Sequence, residues 1–199
     1  MINEEKKKYF EKFVERNMKR LIECQNLGLI SDLFPIRVHI EPTNACNLRC
    51  IHCHHNNTGT SRQYSRKLGF MEMSVYKKTI DEIKAYGCEI TLDNQGEPLL
   101  HPQIIEMVEY AKRNNIFVSI LTNATRLSDD ISRKLIDLKL DRIVFSFDSI
   151  IKDEYEKIRV NAKFESVLYN ILNFIKLNYE AGMPTFVTLS NIPQKRNEN

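Results

Sequence analysis

Beyond Pro35 the sequence alternates short, β-branched apolar runs with longer amphipathic stretches, and this alternation limits the possible folds more than any other feature. The apolar runs predict strands at residues 36–41, 88–93, 116–122, 142–147 and 185–189. Apolar residues spaced by three or four predict helices at residues 74–86, 102–115, 128–138 and 164–179, the first with Ser74 as N-cap and Gly87 just past its end. Such alternation is typical of βαβ units, so the predicted fold class is α/β with a parallel sheet.

The chain divides into three predicted parts. Residues 1–34 form an N-terminal extension, in which apolar pairs such as Phe13 and Val14 alternate with charged residues and predict an amphipathic helix that packs on the domain. Residues 35–192 form one α/β domain, and residues 193–199 form a polar tail. A length of 199 residues agrees with a single domain.

Composition excludes several classes of protein. Lys and Arg number 29 against 26 Asp and Glu, and this mixed charge gives no support to a nucleic-acid partner. No apolar run reaches about 18 residues and the first residues do not resemble a signal peptide, so we expect a cytoplasmic protein without a membrane partner. In a reducing compartment, clustered thiols hold metal or perform chemistry more often than they form disulfides.

Three of the five cysteines lie close together, as Cys46, Cys50 and Cys53, in the spacing C-x3-C-x2-C directly after the first predicted strand. This spacing also fits one face of a helix, but Pro42 and the surrounding asparagines favour a loop. Two metal sites are possible. One is a zinc site with His52, His54 or His55 as fourth ligand. The other is a four-iron cluster on three thiolates, with one iron open to an external ligand, and the lack of a second cysteine pair favours this cluster.

The position and spacing of these cysteines resemble the radical S-adenosylmethionine (radical SAM) superfamily, and the resemblance covers about residues 35–192. It implies that Cys46, Cys50 and Cys53 bind a [4Fe–4S] cluster, whose open iron is chelated by SAM. It also implies a partial (β/α) barrel, of which this chain has about five of the usual six strands. One departure is His52, at a position that is commonly aromatic in the family.

Other predicted strand ends carry residues similar to SAM-binding motifs of the family. These predicted cofactor-binding residues are Gln95, Gly96, Glu97, Asn123, Ser146, Asp148 and Arg159. Gln95 replaces the first glycine of the Gly-Gly-Glu motif, as in the SPASM and twitch branches, and Ala124 departs from the Thr-Asn-Gly motif. Each motif also has an ordinary explanation: a turn after Gly96, a helix cap at Ser146 and Asp148, or a surface cation at Arg159.

The resemblance implies an enzyme in which the reduced cluster cleaves SAM and the resulting 5′-deoxyadenosyl radical removes a hydrogen atom from a substrate. It further implies an electron donor such as flavodoxin or ferredoxin and an unidentified substrate, such as a peptide or sugar; no catalytic side chain is predicted. The alternatives are a non-catalytic zinc or iron–sulfur domain and an inactive truncated fragment. We expect truncation because a sixth strand and auxiliary cysteines are missing, which leaves Phe186, Val187 and Leu189 without cover.

Overall fold

A computed structural model describes residues 35–53 and 67–192, together with nine separate positions between residues 4 and 22. All nine positions are helical, in agreement with the predicted N-terminal helix. The packing of that helix, His54, His55, Cys24 and the predicted polar tail lie outside the described residues.

The five predicted strands form one parallel sheet in the order β1-β2-β3-β4-β5. They are β1 (Arg37–Ile40), β2 (Glu89–Leu92), β3 (Phe117–Thr122), β4 (Arg142–Ser146) and β5 (Phe186–Ser190). Neighbouring strands are joined through helical connections, and β1 and β5 form the two edges of the open sheet. This arrangement confirms the predicted α/β class and partial barrel.

The helices are α1 (Met73–Ile83), α2 (Ile104–Arg113), α3 (Asp129–Asp137), α4 (Lys152–Ile158) and α5 (Phe164–Glu180). The prediction of Ser74 as an N-cap is wrong: α1 begins at Met73, because the carbonyl of Glu72 already accepts from the backbone N–H of Tyr76 at 3.0 Å. Gly87 does follow the helical segment, with a φ of 62°. Helix α4 was not predicted, because its seven residues are too short for a clear apolar period.

The two faces of the sheet differ in chemistry. Alternate strand residues such as Ile90, Val118 and Ile143 are fully buried in the apolar core shared with the helices. The alternate strand positions on the other face are mostly polar, with Phe117 and Val144 among the exceptions, and they include the buried Glu89, whose carboxylate pairs with Arg37 and Arg142. The core therefore fixes the strands in register and brings their carboxyl ends to one edge of the sheet. None of the helices described is long and apolar enough to cross a membrane.

Candidate metal centre and cofactor pocket

A pocket of about 450 Å³ lies at the carboxyl ends of the strands, where parallel α/β sheets bind ligands. Nine of the ten predicted site residues line it: Cys46, Cys50, Cys53, Gln95, Gly96, Glu97, Asn123, Ser146 and Arg159. Asp148 does not line the pocket, although it contacts Arg159. The sequence motifs of four different strand ends thus meet in one place.

The three cysteines lie on a loop without helical structure, which excludes the alternative of one helix face. The first half of this loop packs against the loop after β2, where the backbone N–H of Glu97 donates to the carbonyl of Ala45 at 2.8 Å. A Cβ on Gly96 would lie 1.9 Å from the carbonyl oxygen of Thr43. In the structure this glycine therefore allows the close approach of the cysteine loop.

The second half of the cysteine loop packs against the end of α4. The backbone N–H of Arg49 donates to the carbonyl of Val160 at 2.9 Å, and that of Ile51 donates to Ile158 at 3.0 Å. Cys50 therefore lies between two backbone hydrogen bonds to the segment that carries Arg159. The helix missing from the sequence prediction supplies this second anchor of the site.

The environment of Cys46 and Cys50 favours the neutral form of these two thiols when no metal is bound. Burial raises the pKa of Cys50 to about 11, against the opposing effect of the nearby Arg159 charge. Burial also raises the pKa of Cys46, and the negative charges that Glu97 and Cys53 would carry add to this effect. A metal group that binds thiolates here would therefore release protons.

Glu97 is fully enclosed by hydrogen-bond donors of the protein. Its Oε1 accepts from the backbone N–H of Leu99 at 3.1 Å and from Thr122 Oγ1 at 2.6 Å, and its Oε2 accepts from the backbone N–H of Asn123 at 2.8 Å. Burial raises the pKa of this carboxyl, and the hydrogen bonds from Asn123, Thr122 and Leu99 oppose that rise. Glu97 also caps the short turn at Pro98–Leu100, so the ordinary turn expected after Gly96 is present as well.

Asn123 connects the loop after β3 to the cysteine loop. Its side-chain amide donates to Asn47 Oδ1 at 3.2 Å and lies 4.0 Å from Cys46 Sγ. The Asn123 oxygen accepts from the backbone N–H and the hydroxyl of Thr125, which in turn accepts from Asn47 Nδ2 at 2.8 Å. This network fixes the Asn123 amide beside a candidate ligand sulfur. Its next residue, Ala124, is buried with a φ of 59°, a conformation that favours glycine.

Asp148 and Arg159 form a buried ion pair. Arg159 Nε donates to Asp148 Oδ2 at 2.7 Å, and the two side chains are only 8% and 0% exposed. Asp148 Oδ1 accepts from the backbone N–H of Ile192 at 2.9 Å. Arg159 is therefore not a solvated surface cation, and Asp148 does not cap α4, whose N-cap Ile151 instead donates to the Ser149 hydroxyl.

Sequence reasoning did not assign functional roles to two polar residues at this site, Thr122 and Asn47, and it considered His52 only as a fourth zinc ligand. Thr122 positions Glu97, Asn47 positions Asn123, and His52 lines the pocket as a half-buried side chain. Burial lowers the pKa of His52, with the Arg159 charge acting in the same direction and Asp148 opposing. Thr122 and Asn47 directly adjoin predicted site residues, and this adjacency was the available signal.

The donor set fits an iron–sulfur group in its chemistry, because three soft sulfur ligands share one pocket with a neighbouring guanidinium. Within residues 35–53 and 67–192, no three His, Cys, Asp or Glu side chains are arranged to hold a single metal ion. Two of the three histidines considered as a fourth zinc ligand, His54 and His55, fall outside the described residues.

Comparison with curated proteins finds relatives across most of the chain. The chain is 28% identical over 155 residues to the AdoMet-dependent heme synthase of Methanosarcina barkeri. This match covers 77% of the chain and 43% of that protein. The chain is also 27% identical over 171 residues to a mycofactocin maturase of Mycobacterium tuberculosis. This match covers 86% of the chain and 41% of that protein. The chain thus spans less than half the length of these two relatives.

Among solved structures, SuiB of Streptococcus suis bound to its precursor peptide SuiA has a TM-score of 0.65 at 16% identity. The match covers 91% of this chain and 38% of SuiB, and at this identity it shows a shared fold. A family model, that of the radical SAM superfamily, matches residues 40–198. Since this match covers most of the chain, with strands β2 to β5 and every candidate ligand inside it, the chain belongs to the radical SAM superfamily.

Proposed function

We propose that this chain holds a [4Fe–4S] cluster on Cys46, Cys50 and Cys53 and binds SAM in the adjoining pocket. One observation carries the proposal: the three cysteines of the C-x3-C-x2-C motif line a single pocket with residues from three further strand ends. Family membership supports it, because the cofactors of the radical SAM superfamily are a [4Fe–4S] cluster and SAM.

The residues around the thiols suit the polar groups of SAM. Asn123 and Ser146 offer an amide and a hydroxyl to the pocket, and Arg159 offers a cation to a carboxylate. The backbone around Gln95 and Gly96 forms the opposite wall, and Glu97 holds the β2 and β3 loops together beneath it. Asp148 acts through Arg159. When bound, the cluster and SAM supply a 5′-deoxyadenosyl radical that removes a hydrogen atom from the substrate.

The chain's own part in this chemistry is to bind, orient and shield. The thiols of Cys46 and Cys50 release their protons when they become ligands, because burial raises their pKa values in the free protein. The half-enclosed pocket limits the access of water to the reacting groups. A one-electron donor such as flavodoxin or ferredoxin supplies the electron, and the substrate is a peptide, a sugar or another small molecule.

Anaerobic reconstitution followed by iron and acid-labile sulfide analysis tests the metal assignment. We expect about four irons and four sulfides per chain, and Cys50→Ala should lose them. Cys88→Ala is the matched control, because Cys88 is buried in the core away from the pocket and should leave the iron content unchanged. Zinc without sulfide would contradict the proposal and support the non-catalytic alternative.

A second experiment tests the chemistry. The reconstituted chain is reduced with dithionite in the presence of SAM, and 5′-deoxyadenosine and methionine are measured. We expect both products from the wild-type chain and neither from Cys50→Ala. An intact cluster that never cleaves SAM would contradict the catalytic part of the proposal and leave the metal assignment standing.

A further inference from the structure

The buried ion pair described above contacts one of the three candidate ligands, Cys50. Arg159 Nη1 lies 3.9 Å from Cys50 Sγ, while Nε of the same guanidinium donates to Asp148. The described contacts of Cys46 include the neutral Asn123 amide instead. The protein thus places a charged donor at one ligand sulfur and a neutral donor at another.

The guanidinium is held in this position from several directions. The backbone N–H of Arg159 donates to the carbonyl of Tyr155 at 2.7 Å, and the backbone carbonyl of Arg159 accepts from the backbone N–H of Ala162 at 2.9 Å. The carbonyls on either side of it, those of Ile158 and Val160, accept from the residues on either side of Cys50. Because Asp148 fixes the planar guanidinium through Nε, Nη1 remains directed at the sulfur.

A fixed, buried charge at this distance acts on the redox chemistry of a bound cluster. The reduced state carries one more negative charge than the oxidised state, so a nearby cation stabilises it and raises the potential. Charges and hydrogen bonds at ligand sulfurs are among the features that set cluster potentials. Burial limits screening by solvent, because both side chains of the pair are at least nine-tenths enclosed.

Building on the proposed function, we propose that Arg159 is a positioning residue that raises the reduction potential of the cluster through Cys50, and that Asp148 limits this rise. Asp148 brings a compensating negative charge and holds the guanidinium in place. The net effect on the reduction potential combines the Arg159 cation, which contacts the sulfur, with the Asp148 anion, which lies on the far side of that cation. Removing either charge should therefore shift the potential in opposite directions.

The test is a redox titration of the reconstituted cluster followed by EPR, in the absence of SAM so that any contact between Arg159 and SAM has no influence. Arg159→Met should lower the reduced-to-oxidised ratio at a fixed potential about tenfold, which is about 59 mV for a one-electron couple. Arg159→Lys should retain most of the wild-type potential. Asp148→Asn should shift the potential in the positive direction. Asp148→Asn with Arg159→Met should lie below the wild-type potential but above that of Arg159→Met, because the cation lies closer to the sulfur than the anion does.

Tyr155→Phe is the matched control, because Tyr155 is buried beside the same groups and its hydroxyl has no hydrogen-bond partner among the described residues. It should leave the potential unchanged. If Arg159→Met does not fold, the sign of the shift in Asp148→Asn and the double variant still decides the question. Intact clusters with the wild-type potential in these variants would overturn the inference alone, whereas a wild-type chain that assembles no cluster would overturn the proposed function as well.

Discussion

The cysteine loop is held on two sides, and the two sides use different physical means. On the β2 side, Gly96 packs against Thr43 without room for a side chain, and Glu97 is surrounded by neutral donors. On the α4 side, backbone hydrogen bonds flank Cys50 and the Arg159–Asp148 ion pair lies behind it. The comparison teaches that one half of the loop is fixed by shape and the other by charge.

Breaking the charged side should have the largest effect. Arg159→Met leaves the Asp148 carboxylate buried without its cation, and we expect the free energy of unfolding to fall by about 3–5 kcal/mol. Denaturant unfolding measures this loss. Arg133→Met breaks an exposed ion pair with Asp129 and should cost far less, because solvent screens that pair. Similar losses in the two variants would mean that the buried pair has no special role in stability.

Breaking the shape-determined side should come next. In Gly96→Ala, the new Cβ meets the Thr43 carbonyl oxygen and carbon at 1.9 and 2.7 Å, so the backbone of the cysteine loop must move. We expect a loss of about 3 kcal/mol and a reduced iron content after reconstitution. Gly69→Ala is the control, because nothing lies within 4 Å of its Cβ position. Full iron content in Gly96→Ala would show that the loop adapts without this close contact.

A smaller effect is expected from Glu97→Gln, which replaces one acceptor oxygen by a donor among three buried donors. We expect a loss of about 1–3 kcal/mol at neutral pH, against under about 0.5 kcal/mol for the exposed Glu106→Gln. Equal losses of stability in Glu97→Gln and Glu106→Gln would mean that the buried hydrogen bonds of Glu97 contribute no more than exposed ones.

The same variant has a pH signature. Because the folded pKa of Glu97 is raised above its ordinary value of 4.5, the folded chain binds the extra proton and wild-type stability falls as pH rises through that window. Glu97→Gln lacks this fall, so the difference between the two chains should shrink as pH rises from about 4.5. A difference that grows with pH would show that the three hydrogen bonds outweigh burial.

The smallest effect is expected in the loop after β3, which contacts the cysteine loop through side chains. Ala124→Gly removes the strain of a left-handed alanine, about 1–2 kcal/mol. It also loses a buried methyl group, and glycine gives up more conformational entropy on folding than alanine does. These contributions nearly cancel, so the free energy of unfolding should change by under about 0.5 kcal/mol. A gain above 1 kcal/mol would mean that strain dominates at this position.

The sequence predicted the parts of this structure that depend on local pattern. The strand runs and the C-x3-C-x2-C spacing placed Cys46, Cys50 and Cys53 at a strand end, and the rule for parallel sheets brought the other motifs beside them. The partner of each side chain was not predictable in the same way. Nothing local to Glu97 indicates that its oxygens face Thr122 and Asn123, since those residues come from another loop.

The α4 side shows the same limit more clearly. Arg159 is equally polar whether it is solvated or buried, and its burial depends on Asp148, eleven residues earlier. Helix α4 has too few residues to show a period, although it brings Arg159 to Cys50. Ala124 illustrates the reverse case, because its departure from a family glycine becomes intelligible only when its left-handed backbone is seen.

The contact between Arg159 and Cys50 spans 109 residues of sequence, and this separation has a consequence for the order of assembly. On the ribosome, the thiols emerge early, whereas the segment that flanks Cys50 follows only after four strands have been synthesised. Contacts of such long range form late, because loop closure must precede them. The nascent chain therefore exposes three reactive sulfurs for several seconds before they have a binding site, at typical rates of about 5–20 residues per second. We therefore expect a cluster to be inserted late, after the segment that carries Arg159 has packed against the cysteine loop.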